Sequence, residues 1–420
     1  MKKNALRIAI MICISIVTGY LLLSAVYLIP SEAQRNNLKA SASFLAEEKT
    51  YRREAYSRRR LDNFTDALML LESGYQIYDN AFINAVRTPY YNAVSGEIKP
   101  HKTLTALLLE DNGEAQVIDY ARYWHGYQII LRPLLLIMDY EQIRQLNTWI
   151  LFTLIMLVAW AIAKRTHCCL IPFCLALLLM SPTAIVESLQ YSTVTYVTLL
   201  TSLAVLGAPK DSVICKRIAI VFLCSGIAVA YFDLLTFPTV ALTMPLVLLW
   251  GTVDNREHIT RLMLKCTFCW AIGYAGMWMG KWGIALICDG RAFGDSLFNS
   301  IKSRSGTEWN GAESTRFQVL MLNFEELFLN PKLTISIVCF SAISAIALFL
   351  KRDQATIQHA KARLALLIPT LIPMLWILVV SNHSWNHTWF TYRTLAPSIF
   401  SLLSLLSPFD SKPTIPEALQ

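Results

Sequence analysis

Charge is scarce in this chain: 29 acidic and 37 basic residues make up only 16% of its 420 positions, while 55% are hydrophobic. A soluble globular chain carries about a quarter charged residues, and here the apolar surplus gathers in runs, as bilayer spans require. Several motifs are missing as well. There is no GxxxxGK[ST] phosphate loop, no GxSxG, no HExxH and no dinucleotide fingerprint, which removes support for nucleotide-driven transport and soluble-type hydrolase chemistry. Internal repeats and low-complexity segments are lacking too. Many transporters are built from two matching halves, so their absence argues against a transporter. The longest polar stretch, 31–147, holds none of the ten cysteines, so that region folds without disulfides. Cys266 and Cys269 form a CxxC inside an apolar run with no second pair, which reads as packing rather than metal binding. The formal charge of +8 comes with no zinc-finger, RNA-recognition or basic-zipper pattern. It therefore reflects basic cytoplasmic connections, not nucleic-acid binding.

What is present is a series of apolar runs. Lys2, Lys3 and Arg7 precede a stretch from Ile8 to Pro30. Its polarity is that of a secretory signal, but it exceeds a usual signal core, and Ser31-Glu32-Ala33 is a poor cleavage site. It is expected as an uncleaved first span with a cytoplasmic N-terminus. Further runs follow at about 148–163, 168–186, 193–208, 217–232, 236–251, 266–287, 333–350, 364–381 and 394–408. The expectation is an all-α, multi-pass protein of the cell membrane with about ten transmembrane helices. Its divisions are a first helix at 1–30 and a large, mostly helical extracytoplasmic loop domain with interfacial helices at 31–147. Transmembrane helices fill 148–288, a second extracytoplasmic loop 289–332, and further helices 333–408 around an outer loop at 382–393, before a cytoplasmic tail at 409–420.

Charge tests the orientation. Lys164, Arg165, Lys210, Lys216, Arg217, Arg256, Arg261, Lys265, Lys351, Arg352, Lys361 and Arg363 all fall in connections on the N-terminal side, whereas 187–192 and 233–235 contain no Lys or Arg. This alternation follows the positive-inside rule, from which long loops such as 31–147 are exempt. Within that loop Arg58, Arg59 and Arg60 precede Leu61 to Leu71, an apolar helical stretch with Thr65 or Asp66 as its expected cap. The loop's end, Tyr123 to Met138, is rich in aromatics and Leu, and its run Leu134 to Ile137 is too short to span. It suits an interfacial helix with Tyr123, Trp124 and Tyr127 at headgroup level.

In a chain with few charges, polar residues beside the spans are the functional pointers. The densest cluster runs from Asp119 through Tyr120, Arg122, Tyr123, Trp124 and His125 to Arg132. It combines cations for phosphate, aromatic faces for sugar and groups able to move a proton; an aromatic belt with snorkelling arginines is the alternative. A second cluster, Asn382 to Arg393, holds His383 and His387 four apart, but no third metal ligand lies nearby. Lys281, deep in an apolar run, either meets a lipid phosphate or snorkels. Asp233 and Glu187 sit at turns between spans, as cavity-lining or simply helix-end residues.

The layout, with His125-Gly126-Tyr127 through Arg132-Pro133-Leu134 and then Ile143-Arg144-Gln145-Leu146-Asn147 running into the second span, resembles the GT-C superfamily of polytopic membrane glycosyltransferases. The stretches Asn63–Leu71, Tyr231–Pro238 and His383–Arg393 are similar to those of bacterial membrane proteins of this kind. The resemblance implies a polyprenyl-phosphate sugar as donor and an envelope glycan, lipid or protein as acceptor on the outer face. It implies a carboxylate early in the first loop as base, for which Glu32 and Asp66 are the candidates. Arg122, Lys281 and Arg393 would stabilise the departing phosphate, Tyr123 and Trp124 would stack on sugar, and His125, Asp233, His383 and His387 would complete the substrate contacts. No cofactor is specified, a divalent cation being the one candidate. The other classes considered are a lipid-linked glycan polymerase or acyltransferase, and a transporter or flippase of an envelope precursor.

Overall fold

The computed structural model describes residues 2–48, 50–51, 60–93, 98–110, 115–208, 214–253, 258–309, 311–350 and 362–407. Arg58, Arg59, Lys210, Arg256, Lys351, Arg352, Lys361 and the tail 409–420 lie outside the described residues. Among the described residues the chain is all-α apart from two short strand pairs, Tyr90–Asn92 with Gln116–Ile118 and Glu308–Trp309 with Ala312–Glu313.

Among the described residues, five helices are long and apolar enough to cross a membrane: Ala5–Val26, Tyr140–Arg165, Leu189–Gly207, Pro331–Leu350 and Ala362–Val379. Three more apolar helices, His167–Leu179, Arg217–Phe232 and Val240–Thr252, are shorter. In the most apolar 18-residue stretch only 17% of the first helix and 11% of Pro331–Leu350 is buried, and both present apolar side chains such as Ile14, Leu21, Ile335 and Phe349 outward. Unburied apolar surface on this scale suits a membrane-embedded protein.

The expected loop domain is folded. Helices Ser31–Glu47, Asn63–Gly74 and Pro100–Leu108 pack with the strand pair Tyr90–Asn92 and Gln116–Ile118 around Leu38, Leu45, Leu70, Leu71 and Leu104, while Ala81–Arg87 packs against the first helix and against Ile259–Ser305. The cap of Asn63–Gly74 is Asp62, whose carboxylate accepts from the Thr65 amide at 3.1 Å. This differs by a few residues from the expected Thr65 or Asp66, because both of those are already inside the first turn. The next spanning helix opens on a capping box, Asp139 with Gln142, and starts already at Tyr140.

Four backbone carbonyls lock the domain onto the first helix. Arg132, fully buried, donates to Val26, Ile29, Glu72 and Tyr75. The segment expected to lie in the interface is helical only over Gln128–Leu134, and Tyr123, Trp124 and Tyr127 are buried in protein. Gly126 explains the close approach there: its amide donates to the Tyr231 carbonyl at 2.8 Å, and a Cβ would lie 2.3 Å from the Tyr231 ring.

The expected second loop, 289–332, is largely helical. Helix Ile259–Ser305 runs past the anticipated span end at 288 and changes direction at Gly290 (φ 59°, ψ −137°), a conformation open to glycine. Its second arm, 291–305, lies against the loop domain, and Arg316–Leu327 follows.

Candidate functional site

The site is organised by the turn from Asp119 to Tyr127. His125 adopts a left-handed backbone (φ 55°), and its Nε2–H donates to the Tyr120 carbonyl at 3.0 Å. Its Nδ1 lies 3.0 Å from the Glu72 carboxylate, which also accepts from the Tyr127 hydroxyl. Glu72, His125 and Tyr127 are all buried, so this network costs solvation that only its internal hydrogen bonds offset. The result is a fixed turn presenting Asp119, Tyr120, Arg122 and Tyr123 to two cavities.

The first cavity, of about 330 Å³, is apolar and walled by Tyr123, Tyr274, Trp278, Trp282 and Trp376. Two guanidiniums, Arg122 and Arg304, provide its cationic end. Arg304 donates to the Tyr123 hydroxyl at 2.9 Å and Arg122 to Ser300 at 2.7 Å. Met279 and Val379, each more than half exposed, also line it.

The second cavity, of about 700 Å³, is more polar than the first: Arg87, Asp119, Tyr120, Arg122 and Asp289 line it beside an apolar wall that includes Phe64, Leu68 and Phe293. Arg87 bonds Asp289 at 2.5 Å and sits 3.7 Å from Asp119, which accepts from the Tyr78 hydroxyl at 3.0 Å. Partial burial raises the Asp119 carboxyl above its ordinary value; Tyr78 and Arg87 oppose that shift, and Asp289 adds to it. Arg122 borders both cavities, its guanidinium lying 4.9 Å from the centre of the Tyr120 ring. The arm 291–305 walls both as well, through Phe293 and Ser296 on one side and Leu297, Ser300 and Arg304 on the other.

Of the residues singled out from sequence, Arg122 and Tyr123 line this pair of cavities. Trp124 and His125 stand behind them; the Trp124 indole donates to the Met277 carbonyl at 2.7 Å and is buried, with no face free for sugar. Asp66 is elsewhere. Its carboxylate accepts from the amides of Leu189 and Gln190, the Ser188 hydroxyl and the Tyr140 hydroxyl, at 2.7–3.3 Å. It thus caps helix Leu189–Gly207 from another segment, and every acceptor direction is used by the fold.

Lys281 also turns away from the cavities, donating to the Ala85 and Val86 carbonyls at 2.9 and 2.7 Å at the end of helix Ala81–Arg87. Arg393 is buried over the Tyr191 ring and donates to Met180 and Trp389 carbonyls. Asp233 closes its own turn by accepting from the Thr236 amide and hydroxyl. His383 bonds the Leu235 carbonyl at 2.8 Å, with His387 beside it at 4.8 Å between ring centroids. Burial and the nearby Arg304 hold both imidazoles below their usual value, His387 at about 4. These two are therefore neutral at physiological pH and add no charge for a phosphate. Glu32 is 79% exposed in its side chain, pairs with Arg35 at 3.3 Å, and borders a third cavity.

The chain matches no family model, no curated protein and no solved structure. Chemistry is therefore read from the geometry alone. Among the described residues no three His, Cys, Asp or Glu side chains converge as a metal site, so a divalent cation finds no ready cage there. The residues that sequence reasoning passed over are Arg87, Asp289, Arg304 and Glu72. Asp289 sits beside the helix-bending Gly290, a signal available in the sequence. Its pairing with Arg87, 202 positions away, had none.

Proposed function

We propose that the chain is a multi-pass membrane glycosyltransferase that moves a sugar from a polyprenyl-phosphate donor to a cell-envelope acceptor on the outer face. One observation carries this reading: Arg122 is the common wall of an apolar, aromatic cavity and of a second cavity holding carboxylates. A lipid tail fits the first, a hydroxylated acceptor fits the second, and the phosphate between them meets Arg122 and Arg304.

The chemistry follows from that arrangement. The acceptor hydroxyl attacks the anomeric carbon, the bond from that carbon to the phosphate oxygen breaks, and the lipid phosphate leaves with the electron pair. Asp119 takes the hydroxyl proton, its raised basicity suiting a general base. Arg122 and Arg304 stabilise the charge growing on the leaving phosphate, as preorganised cations do in a water-poor site. This base replaces the Glu32 and Asp66 of the family expectation. Topologically, the reading sets the 31–147 domain outside and the N-terminus in the cytoplasm, following the Lys and Arg distribution. Ten crossings then comprise the five long spans, the three shorter helices, the first arm of Ile259–Ser305 and helix Ala396–Leu406.

The test uses purified protein in nanodiscs with radiolabelled polyprenyl-phosphate sugars and envelope acceptors. Wild type should move label out of the lipid fraction. Asp119→Asn should stop transfer with donor still bound, and Arg122→Ala with Arg304→Ala should weaken donor binding by about tenfold or more, the loss of charge-assisted contacts. Label that stays in the lipid fraction with wild type across the donor set overturns the proposal.

A further inference from the structure

Glu32 lies outside the two cavities above but borders a third, of about 310 Å³, on the loop domain. Its walls are Glu32 and Arg35 at the mouth, the rings of Tyr75 and Tyr91, and an apolar floor that includes Leu38 and Leu107. Tyr75 and Tyr91 meet edge to face at 5.2 Å between centroids, forming a corner of two aromatic surfaces.

The chemistry of this pocket selects its ligand. Glu32 and Arg35 are one negative and one positive charge 3.3 Å apart, so the mouth is neutral overall and favours neither a phosphate nor a cation. Their exposed ends offer acceptors and donors at once, which suits adjacent hydroxyl groups. The tyrosine corner and leucine floor suit the C–H faces of a ring. A polyhydroxylated, uncharged ring has both properties, and the volume holds one sugar with room to spare.

The position of the pocket is as informative as its lining. Tyr90 lines the Asp119 cavity and Tyr91 lines this one. They are consecutive residues of the strand Tyr90–Asn92, whose side chains alternate between faces. The two cavities are therefore separated by the thickness of one strand. We infer that the Glu32–Tyr91 cavity is a remote subsite for a neutral sugar unit of the acceptor, whose reacting end occupies the Asp119 cavity on the strand's other side. The acceptor assignment rests on the transferase reading; the sugar-binding property does not.

The experiment keeps those two apart. Fluorescently labelled full-length protein in nanodiscs is applied to a glycan array without donor lipid. Wild type should retain neutral oligosaccharides. Tyr91→Ala and Glu32→Ala should each lower retention about tenfold or more, while Tyr91→Phe, which keeps the ring, should stay within about twofold of wild type. In the transfer assay Tyr91→Ala should raise the acceptor KM with kcat nearly unchanged, a split that general misfolding does not produce. Absence of neutral-glycan retention by wild type, or equal retention by Tyr91→Ala, overturns the subsite. Sugar retention by wild type without any label transfer instead leaves the subsite standing and removes the transferase reading.

Discussion

Replacing Asp62 with Asn should stabilise the protein at neutral pH. Asp62 is 3% exposed, and burial is the main reason its carboxyl sits at about 6 against an ordinary 3.8, with Asp66 adding to the shift and the Thr65 hydrogen bonds opposing it. The native state thus binds this proton more tightly than the unfolded chain does. Stability from this group is fully present below pH ~4 and is lost as pH rises through about 6. At pH 7.5 the ionised carboxylate costs roughly 3 kcal/mol, at 1.36 kcal/mol per pH unit. Asn has the same shape and keeps an oxygen to accept from the Thr65 amide, at a cost of about 1 kcal/mol for the weaker neutral hydrogen bond. The net gain is about 2 kcal/mol, worth a few degrees in the unfolding midpoint. Detergent-solubilised wild type and Asp62→Asn, heated at a series of pH values between 4 and 8 with tryptophan fluorescence as readout, give the comparison directly. The variant should melt higher at pH 7.5, and the two curves should converge by pH 4.5. An equal or lower midpoint for the variant at pH 7.5, or an unchanged difference across the series, refutes the reasoning.

Asp66→Ala should lose roughly 3–5 kcal/mol, because it strands the Leu189 and Gln190 amides and the Tyr140 hydroxyl. The fall in folded yield on size-exclusion chromatography should account for the whole drop in activity, and a well-folded but inactive protein would contradict the capping role. Lys281→Met should cost about 1–3 kcal/mol by leaving the Ala85 and Val86 carbonyls unpaired, yet leave lipid-phosphate affinity in nanodiscs within about twofold; a tenfold loss would return Lys281 to the binding site. Cysteines introduced near positions 60 and 385 should react with an impermeant reagent from outside intact cells, and those near 255 and 355 should not. The reverse pattern inverts the proposed topology.

Much of the helical architecture was legible because long apolar runs are local signals. The runs at Ile8–Pro30, 333–350 and 364–381 correspond closely to helices Lys2–Val26, Pro331–Leu350 and Ala362–Val379. The long helix through Gly290 was less visible. Cys288, Asp289 and Arg291 look like the end of a span, and nothing local says that one glycine with positive φ lets the helix continue along the domain. The site was legible only in part. Arg122 and Tyr123 stood out as polar and aromatic residues beside a span, and they do line the cavities. Asp66, Lys281 and Arg393 stood out for the same reason, but their charges are consumed by helix ends and carbonyls from distant segments. A buried charge that serves a ligand and one that serves a helix terminus have the same signature in sequence. Only the partner distinguishes them, and here, the Trp389 carbonyl beside Arg393 apart, the partners lie tens to hundreds of positions away.

The arginine between the cavities also limits how this protein can be re-engineered. Because Arg122 lines both the apolar and the polar cavity, a substitution there alters both compartments together. Preference for one ligand is then inseparable from preference for the other at that position. Independent tuning has to come from walls belonging to one compartment alone: Leu297 and Trp376 on the apolar side, Ser296 and Tyr90 on the polar side. A library spread over those positions would vary the ligands separately, whereas one centred on Arg122 would trade them against each other.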